Sequence, residues 1–532
     1  MANKNLFVAK KNVAPIANAT NNAGGSAYSL SAKIDLANLC CTGCFNNTFY
    51  VSAQQQLAHV KELCVKIDDY EFLCKLAIYS RTNAYMKDMP SFLLAYLCAN
   101  TNNNPERQLM FKKTFFAICD NIKMVRNFVQ IIRSGVVGRN SFGTMPKRLI
   151  NAWLDSKSDD ALFKMSVGND PSLSDIIKLT HPKPTTDVRN ALYGYLTGNK
   201  YNAELLPNLV KEFEAFKTTV DQNKIPNVSF EMLTALPLTE DCWKQIAMNC
   251  SWTQTRMNLN TFDRHGVFND NKIVNAIVEK LTNSELICAS KVFPYQLLAA
   301  YLKLQNNSNI PSKIKVALQQ AMEIAVSNVP KIDDDVLIFV DTSGSMNSPI
   351  TGDRGGATSV IDCISVASLI ASIFLKVNPS RTTIIPFATA VHLKQLNPLD
   401  SIMTNTQLLK SLGGGGTNCS APMTYVNGKN IKANLVIYCS DNESWMDTTG
   451  RNSAKATRTM EEWLKFKKSN PQAKLVTIDL APNSTSQMSP NKDILQIGGF
   501  SDVVFDAIGA FYNNKTNDPE YWLKYIDSAI QL

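Results

Sequence analysis

Between residues 54 and 326, apolar positions recur every three or four residues, in segments of about ten to seventeen residues. That period is the signature of helices with one buried face. It predicts a helical region over 31–330 with almost no strand signal, for example at 54–66, 70–81, 90–99, 105–119, 145–155, 203–216, 271–281, 294–304 and 312–326. Several begin with Pro or Asp near the first turn, and short connectors with Asn, Gly or Pro separate them. Consecutive helices with short turns suggest stacked helical hairpins of a solenoid rather than a four-helix bundle. No sequence period is crisp enough to name a repeat. After 327–335 (Ser-Asn-Val-Pro-Lys-Ile-Asp-Asp-Asp) the pattern changes. Short β-branched runs at 336–340, 383–387, 434–438 and 474–479 alternate with helical stretches at 358–376, 405–412, 451–468 and 519–530. Alternation of this kind predicts a doubly wound α/β domain with a parallel sheet.

Length and composition set the frame for these elements. A chain of 532 residues exceeds one ordinary domain, and 45% hydrophobic with 19% charged residues is typical of a soluble protein. The richest apolar run, 364–375, is too short to span a membrane and reads as a buried helix. Residues 1–31 are rich in Asn, Ala and Gly and lack the apolar core of a secretion signal. The expected organisation is a mobile tail over 1–30, a helical domain over 31–330 and an α/β domain over 331–532, in a cytoplasmic protein without membrane partners. Thirteen Cys without framework spacing read as reduced, mostly buried thiols. Cys40, Cys41 and Cys44 are close together, yet no second Cys/His pair follows at zinc-finger spacing.

Charge is uneven. Residues 331–532 carry 18 Lys and Arg against 19 Asp and Glu, leaving 36 against 26 for residues 1–330. A basic helical part points to a polyanionic partner. Its most distinctive stretch, 126–148, holds Arg126, Arg133, Arg139, Lys147 and Arg148 around a Gly-rich centre and contains no acidic residue. Flexible backbone with guanidinium groups suits close approach to phosphate. Leu179-Thr180-His181-Pro182-Lys183-Pro184 follows, a stiffened loop with a His and a Lys. On charge alone, both stretches read as a solvated basic face and an ordinary turn.

The α/β part carries a sharper constellation. Val336–Val340 runs directly into Asp341-Thr342-Ser343-Gly344-Ser345, a strand whose carboxyl end opens into carboxylate and hydroxyl groups. Gly413–Gly416 precedes Thr417, and the third strand ends in Ser440-Asp441. The set Asp341, Ser343, Ser345, Thr417 and Asp441 offers two carboxylates and three hydroxyls from three loops. Oxygen donors of this type suit Mg²⁺, with Mn²⁺ as the alternative. The D-x-S-x-S order with the later Thr and Asp resembles the metal-ion-dependent adhesion site (MIDAS) of von Willebrand factor A domains. Few charged ligands would leave a coordination position for an acidic group from a partner.

Enzymatic readings of the same stretch fail. An aspartic protease needs Asp-Thr/Ser-Gly, and here Ser343 intervenes. A haloacid-type phosphatase needs a second Asp at position 343. The glycine loop lacks the Lys-Ser/Thr of a phosphate-binding loop, and the four His are scattered. No catalytic constellation emerges, and the chain is read as a non-enzyme.

A basic all-helical part joined to an A-type domain resembles the Ro ribonucleoprotein family, whose helical part is the TROVE module. The resemblance rests on Gly138-Arg139 through Lys147-Arg148-Leu149-Ile150-Asn151-Ala152-Trp153, on Leu179–Pro184, on Gly415-Gly416-Thr417-Asn418-Cys419-Ser420-Ala421-Pro422-Met423, and on Tyr438–Glu443. It implies an all-α ring of HEAT-like repeats followed by an α/β doubly wound von Willebrand factor A domain. It further implies a scaffold that binds Y-like small noncoding RNA and the single-stranded 3′ ends of misfolded RNA. Arg139, Lys147, Arg148, His181 and Lys183 then become RNA contacts, with Arg126 and Arg133 added from charge alone. An exoribonuclease, or another protein donating a carboxylate to the metal, is a further partner in keeping with the family. The alternative function is a metal-dependent protein-interaction adaptor with the helical part as spacer.

Overall fold

The computed structural model describes residues 14–167, 171–221, 224–290, 292, 294–305, 307–326, 329, 331–353, 361–446, 456–501, 503–513 and 518–532. The chain divides into two compact units, one comprising 1–68, 293–299 and 326–529, the other 69–292, 300–325 and 530–532.

Among the described residues, the regular elements of the second unit are all helices, as the periodicity predicts. Tyr70–Thr82, Pro105–Ile118, Thr144–Asp155 and Asn271–Thr282 fall where expected. Their starts follow capping chemistry. The Asp69 side chain accepts from the Phe72 amide, and Asn104 accepts from the Glu106 and Arg107 amides just ahead of Pro105. Phe111, Phe115, Phe128 and Trp153 are fully enclosed and form the core between these helices. The Trp153 indole donates to the Cys119 carbonyl (2.5 Å), joining the ends of two neighbouring helices. The single helix expected over 203–216 is instead a short 3-10 turn at Ala203–Leu205 followed by a helix from Asn208 to Thr219. Pro207, which has no N–H to donate, stands at the break. Further helices of the unit are Ile122–Arg133, Leu173–Thr180, Asp187–Thr197 and Glu240–Asn249.

The first unit is built on a five-stranded parallel sheet. Numbering all strands in chain order, β1 is Ala19–Thr20, β2 Ser26–Ser29, β3 Val336–Asp341, β4 Thr382–Phe387, β5 Leu435–Ser440, β6 Lys474–Asp479, β7 Thr485–Ser486 and β8 Ile494–Gly498. The large sheet has the order β4-β3-β5-β6-β8. Strands β3, β5, β6 and β8 are buried along their whole length, which accounts for their continuous apolar runs. Phe339, Tyr438, Leu475, Trp463 and Phe466 lie in one core cluster. The apolar run at 364–375 lies within the buried helix Cys363–Val377. Among the described residues, no helix is long and apolar enough to cross a membrane. The first residues of the helices expected at 358–376 and 451–468 lie outside the described residues.

One expectation is overturned. The tail predicted for 1–30 lies outside the described residues only up to residue 13; residues 14–30 are part of the α/β unit. Strands β1 and β2 form a hairpin, and β2 pairs antiparallel with β7. Tyr28 of β2 joins the core cluster of the sheet. The following helix Ala32–Thr42 also belongs to this unit: Asn38 Oδ1 accepts from the Gly498 amide (2.9 Å). The boundary expected at residue 30 therefore does not separate a tail from a helical domain.

Candidate functional site

The order β4-β3-β5 makes the chain leave β3 in one direction and return on its other side at β5. The crevice at the carboxyl ends of these two strands is the topological switch point of the sheet. Asp341 ends β3, and Asp441 directly follows β5; the register sets Val340 beside Cys439. The Ser440 hydroxyl donates to Asp341 Oδ2 (2.6 Å), and the Ser343 amide donates to Asp341 Oδ1 (2.9 Å). Ser343 and Ser345 hydroxyl oxygens are 3.3 Å apart, and Ser345 also hydrogen-bonds the Asp441 carboxylate. The glycine loop packs against this turn: the Gly344 amide donates to the Gly415 carbonyl (3.0 Å), and the Gly414 amide to the Thr342 carbonyl (2.7 Å). Thr417 follows, buried, its carbonyl accepting from the Trp445 and Met446 amides (3.1 Å each). Thus Asp341, Ser343, Ser345 and Asp441 are brought together, with Thr417 on the adjoining loop.

All five residues are almost fully enclosed. Burial, with the neighbouring Asp441 carboxylate, pushes Asp341 up to about 7, and burial raises Asp441 as well. Two enclosed carboxylates with hydroxyl neighbours form a donor set that fits a hard divalent cation. Among the described residues, no group of three or more His, Cys, Asp or Glu side chains could hold a metal. Any ion here therefore depends on the hydroxyls. Cys40 and Cys41 are buried core thiols, with burial pushing Cys41 up to about 12.

Several residues of this site escaped the sequence reading. Glu443 is buried two positions beyond Asp441, and burial pushes it up to about 7. It is gripped by the amino-terminal hairpin: Asn22 Nδ2 donates to its Oε1 (2.9 Å) and the Ala23 amide to its Oε2 (3.1 Å). Asn21 Nδ2 donates to the Ser444 carbonyl (2.7 Å). Behind them Asp479, wholly buried, accepts from Asn442 and from Asn38 (3.4 Å). The Tyr50 hydroxyl hydrogen-bonds Ser345, and burial, reinforced by Asp441, raises its pKa. The Asn-rich composition of the amino terminus was the available signal; its partners lie more than four hundred residues away.

The basic residues of the helical unit sort into two groups. Arg126 is buried on helix Ile122–Arg133, where its Nη2 donates to the Met165 carbonyl (3.0 Å) and burial lowers its pKa. It is a structural residue, which corrects its assignment as an RNA contact. Arg139 is half-buried and donates to the carbonyls of Ser141 (2.7 Å) and Phe142 (2.9 Å), so its guanidinium closes its own loop. By contrast Arg133, Arg148, His181 and Lys183 are exposed, and Lys147 is half-buried. His181 ends helix Leu173–Thr180 in the left-handed conformation (φ 51°). Asn151 Nδ2 donates to the Thr180 carbonyl (3.3 Å), bringing the helix of Lys147 and Arg148 against the loop of His181 and Lys183. Arg133 lies nearer Asp175, in the first turn of helix Leu173–Thr180, away from His181 at its end.

Comparison with known proteins fits this geometry. Residues 335–512 match the family model described as the Ro60 vWA domain. The chain is 23% identical over 518 residues to a Deinococcus radiodurans protein named RNA-binding protein RO60, covering 92% of this chain and 94% of the relative. A Caenorhabditis elegans protein of the same name is 25% identical over 263 residues, 46% of this chain and 38% of that one. The crystal structure of the Deinococcus radiodurans RO (RSR) protein is similar in fold, with a TM-score of 0.63 at 19% identity. That match covers 91% of this chain and all of the other.

Proposed function

The chain belongs to the Ro family, and from that premise we propose that it is an RNA-binding scaffold of the cytoplasm without chemistry of its own. The observation that carries the reading is the group of Arg148, His181 and Lys183, exposed, with the half-buried Lys147, on one helix and on the loop after another, tied by Asn151; it is the remnant of the basic stretch once Arg126 and Arg139 are set aside. Lysine and arginine charges bind phosphate without base discrimination, and such affinity falls steeply with salt. Y-like small RNA and the single-stranded 3′ ends of misfolded RNA are the ligands in keeping with the family. A gel shift with a structured RNA, with and without a single-stranded 3′ tail and at two salt concentrations, tests this. Salt-sensitive, tail-dependent binding is expected. Failure to bind either RNA would refute the reading.

A second activity is favoured by the paired carboxylates. We propose that Asp341, Ser343, Ser345, Thr417 and Asp441 hold Mg²⁺, or Mn²⁺ in its place. When bound, the ion would offset the two buried charges and offer a position to a carboxylate from a protein partner such as a nuclease. Ser440 and the Ser343 amide orient Asp341 for that role, and the hairpin grip on Glu443 steadies the loop of Asp441.

A further inference from the structure

A groove in the helical unit is not accounted for by the cationic group alone. One wall is helix Pro105–Ile118, whose Leu109, Lys112 and Phe116 form a single stripe; the other is helix Thr144–Asp155, with Met145 and Arg148. It encloses about 560 Å³, within the usual range of small-ligand sites, about 300–1,000 Å³. Its walls are fixed by the Trp153–Cys119 hydrogen bond at their ends. Leu109 and Phe116 remain 56% and 38% exposed, although the helix has a fully buried Phe111–Phe115 face on which they could have been placed. Lys112 and Arg148, both exposed, line this apolar surface from opposite walls, and Asp155 also lines it.

A partly exposed aromatic ring in a groove that also carries Lys112 and Arg148 offers what a single-stranded nucleotide needs: a surface for the base and charge for its phosphates. A bare polyanion would have no use for the ring, and an acidic peptide no need of its flat face. We infer that this groove is a nucleotide-binding site for single-stranded RNA, with a base stacked on Phe116 and its flanking phosphates paired with Lys112 and Arg148. The inference rests on the RNA-binding reading above and adds base contact to it. Stacking tolerates every base, so the site selects single strands over duplex rather than one sequence over another.

The test uses the full chain and fluorescence anisotropy with two short oligomers of equal length, an oligouridylate and its abasic counterpart. Wild type is expected to bind the oligouridylate more tightly. Phe116→Ala is expected to weaken oligouridylate binding by about tenfold and to leave abasic binding unchanged, whereas Lys112→Glu and Arg148→Glu weaken both. Phe116→Leu, which keeps most of the volume but not the ring, guards against a folding defect and should behave as Phe116→Ala does. Unchanged oligouridylate affinity in both Phe116 variants would overturn the site while leaving RNA binding intact. If the wild-type chain binds neither oligomer nor structured RNA, the RNA reading fails and this site with it.

Discussion

Gly25 packs the amino-terminal hairpin against the loop that follows β5, and it offers a quantitative test of whether that hairpin is integral to the α/β unit. A methyl group there would overlap the Ser444 carbonyl oxygen outright, and stand 3.0 Å from its carbon and 3.2 Å from Asn21 Nδ2. Backbone cannot move aside as a flexible side chain can, so in Gly25→Ala the hairpin must lift. Lifting it stretches the Asn21 bond to Ser444 and the Asn22 and Ala23 bonds to Glu443. Overpacking alone costs ~1–3 kcal/mol. Each hydrogen bond to a charged group contributes ~1.5–3 kcal/mol. Because the groups move together these do not simply add, and a loss of about 3 kcal/mol is expected. At ~2–4 °C per kcal/mol, the transition of this unit should fall by ~6–12 °C in calorimetry. Hydrogen exchange should accelerate in peptides covering β5 and residues 441–446. Gly24→Ala is the control: it has φ 84° but nothing within 4 Å, so it costs only the left-handed backbone, ~1 kcal/mol. Equal effects of the two substitutions would refute the argument.

Further predictions concern the charged sites. Asp341→Asn removes one of two like charges and should raise stability in metal-free buffer, yet abolish the rise with Mg²⁺, ~2.7 kcal/mol at a hundred times Kd in wild type; a persisting Mg²⁺ shift in the melting temperature would refute the donor set. Arg126→Met should destabilise the helical unit by ~1–3 kcal/mol in denaturant unfolding without changing RNA affinity, because its guanidinium serves the Met165 carbonyl. Any specific loss of RNA binding by the folded variant would contradict that role. The His59–Asp35 pair (2.8 Å) should give a pH signature. The hydrogen bond to Asp35 raises His59, and burial raises Asp35. Both folded values lie above the unfolded ones, so each contributes stability at low pH that is lost as pH rises through the folded value. For His59 that loss begins above about pH 6.5. Melting temperatures measured from pH 6 to 8 should decline more for wild type than for His59→Gln, and parallel curves would dismiss the coupling.

The parts legible in the sequence were those decided locally. Helices 54–66, 70–81 and 105–119 and the strands leading to Asp341 and Asp441 follow from period and capping, and the structure places them within a residue or two. The arrangement of Asp341, Ser343, Ser345 and Asp441 was legible because strand ends of an α/β sheet converge on one edge. What escaped depends on contacts distant in sequence. Arg126 looked like a phosphate ligand because charge was read without the helix that turns it inward. Strands β1 and β2 are two and four residues long, too short for a periodic signal, and their partner β7 has two residues. An Asn-rich segment with no local partner reads as mobile; here its amides satisfy a buried glutamate and a carbonyl on another loop.

The joining of residues 14–68 to a domain that begins near residue 326 has a consequence for the order in which the protein is made. Asn22 and its partner Glu443 are 421 residues apart in the chain. At a synthesis rate of ~5–20 residues per second, the hairpin leaves the ribosome roughly 20–80 s before the loop it grips exists. Throughout that interval β2 is an unpaired edge and Tyr28 has no core to enter, while the intervening helical segment has time to fold on local contacts. The α/β unit can close only when both ends of the chain have been made. Its assembly is therefore late and long-range, and the nascent amino terminus is the segment on which a chaperone would have the most to protect.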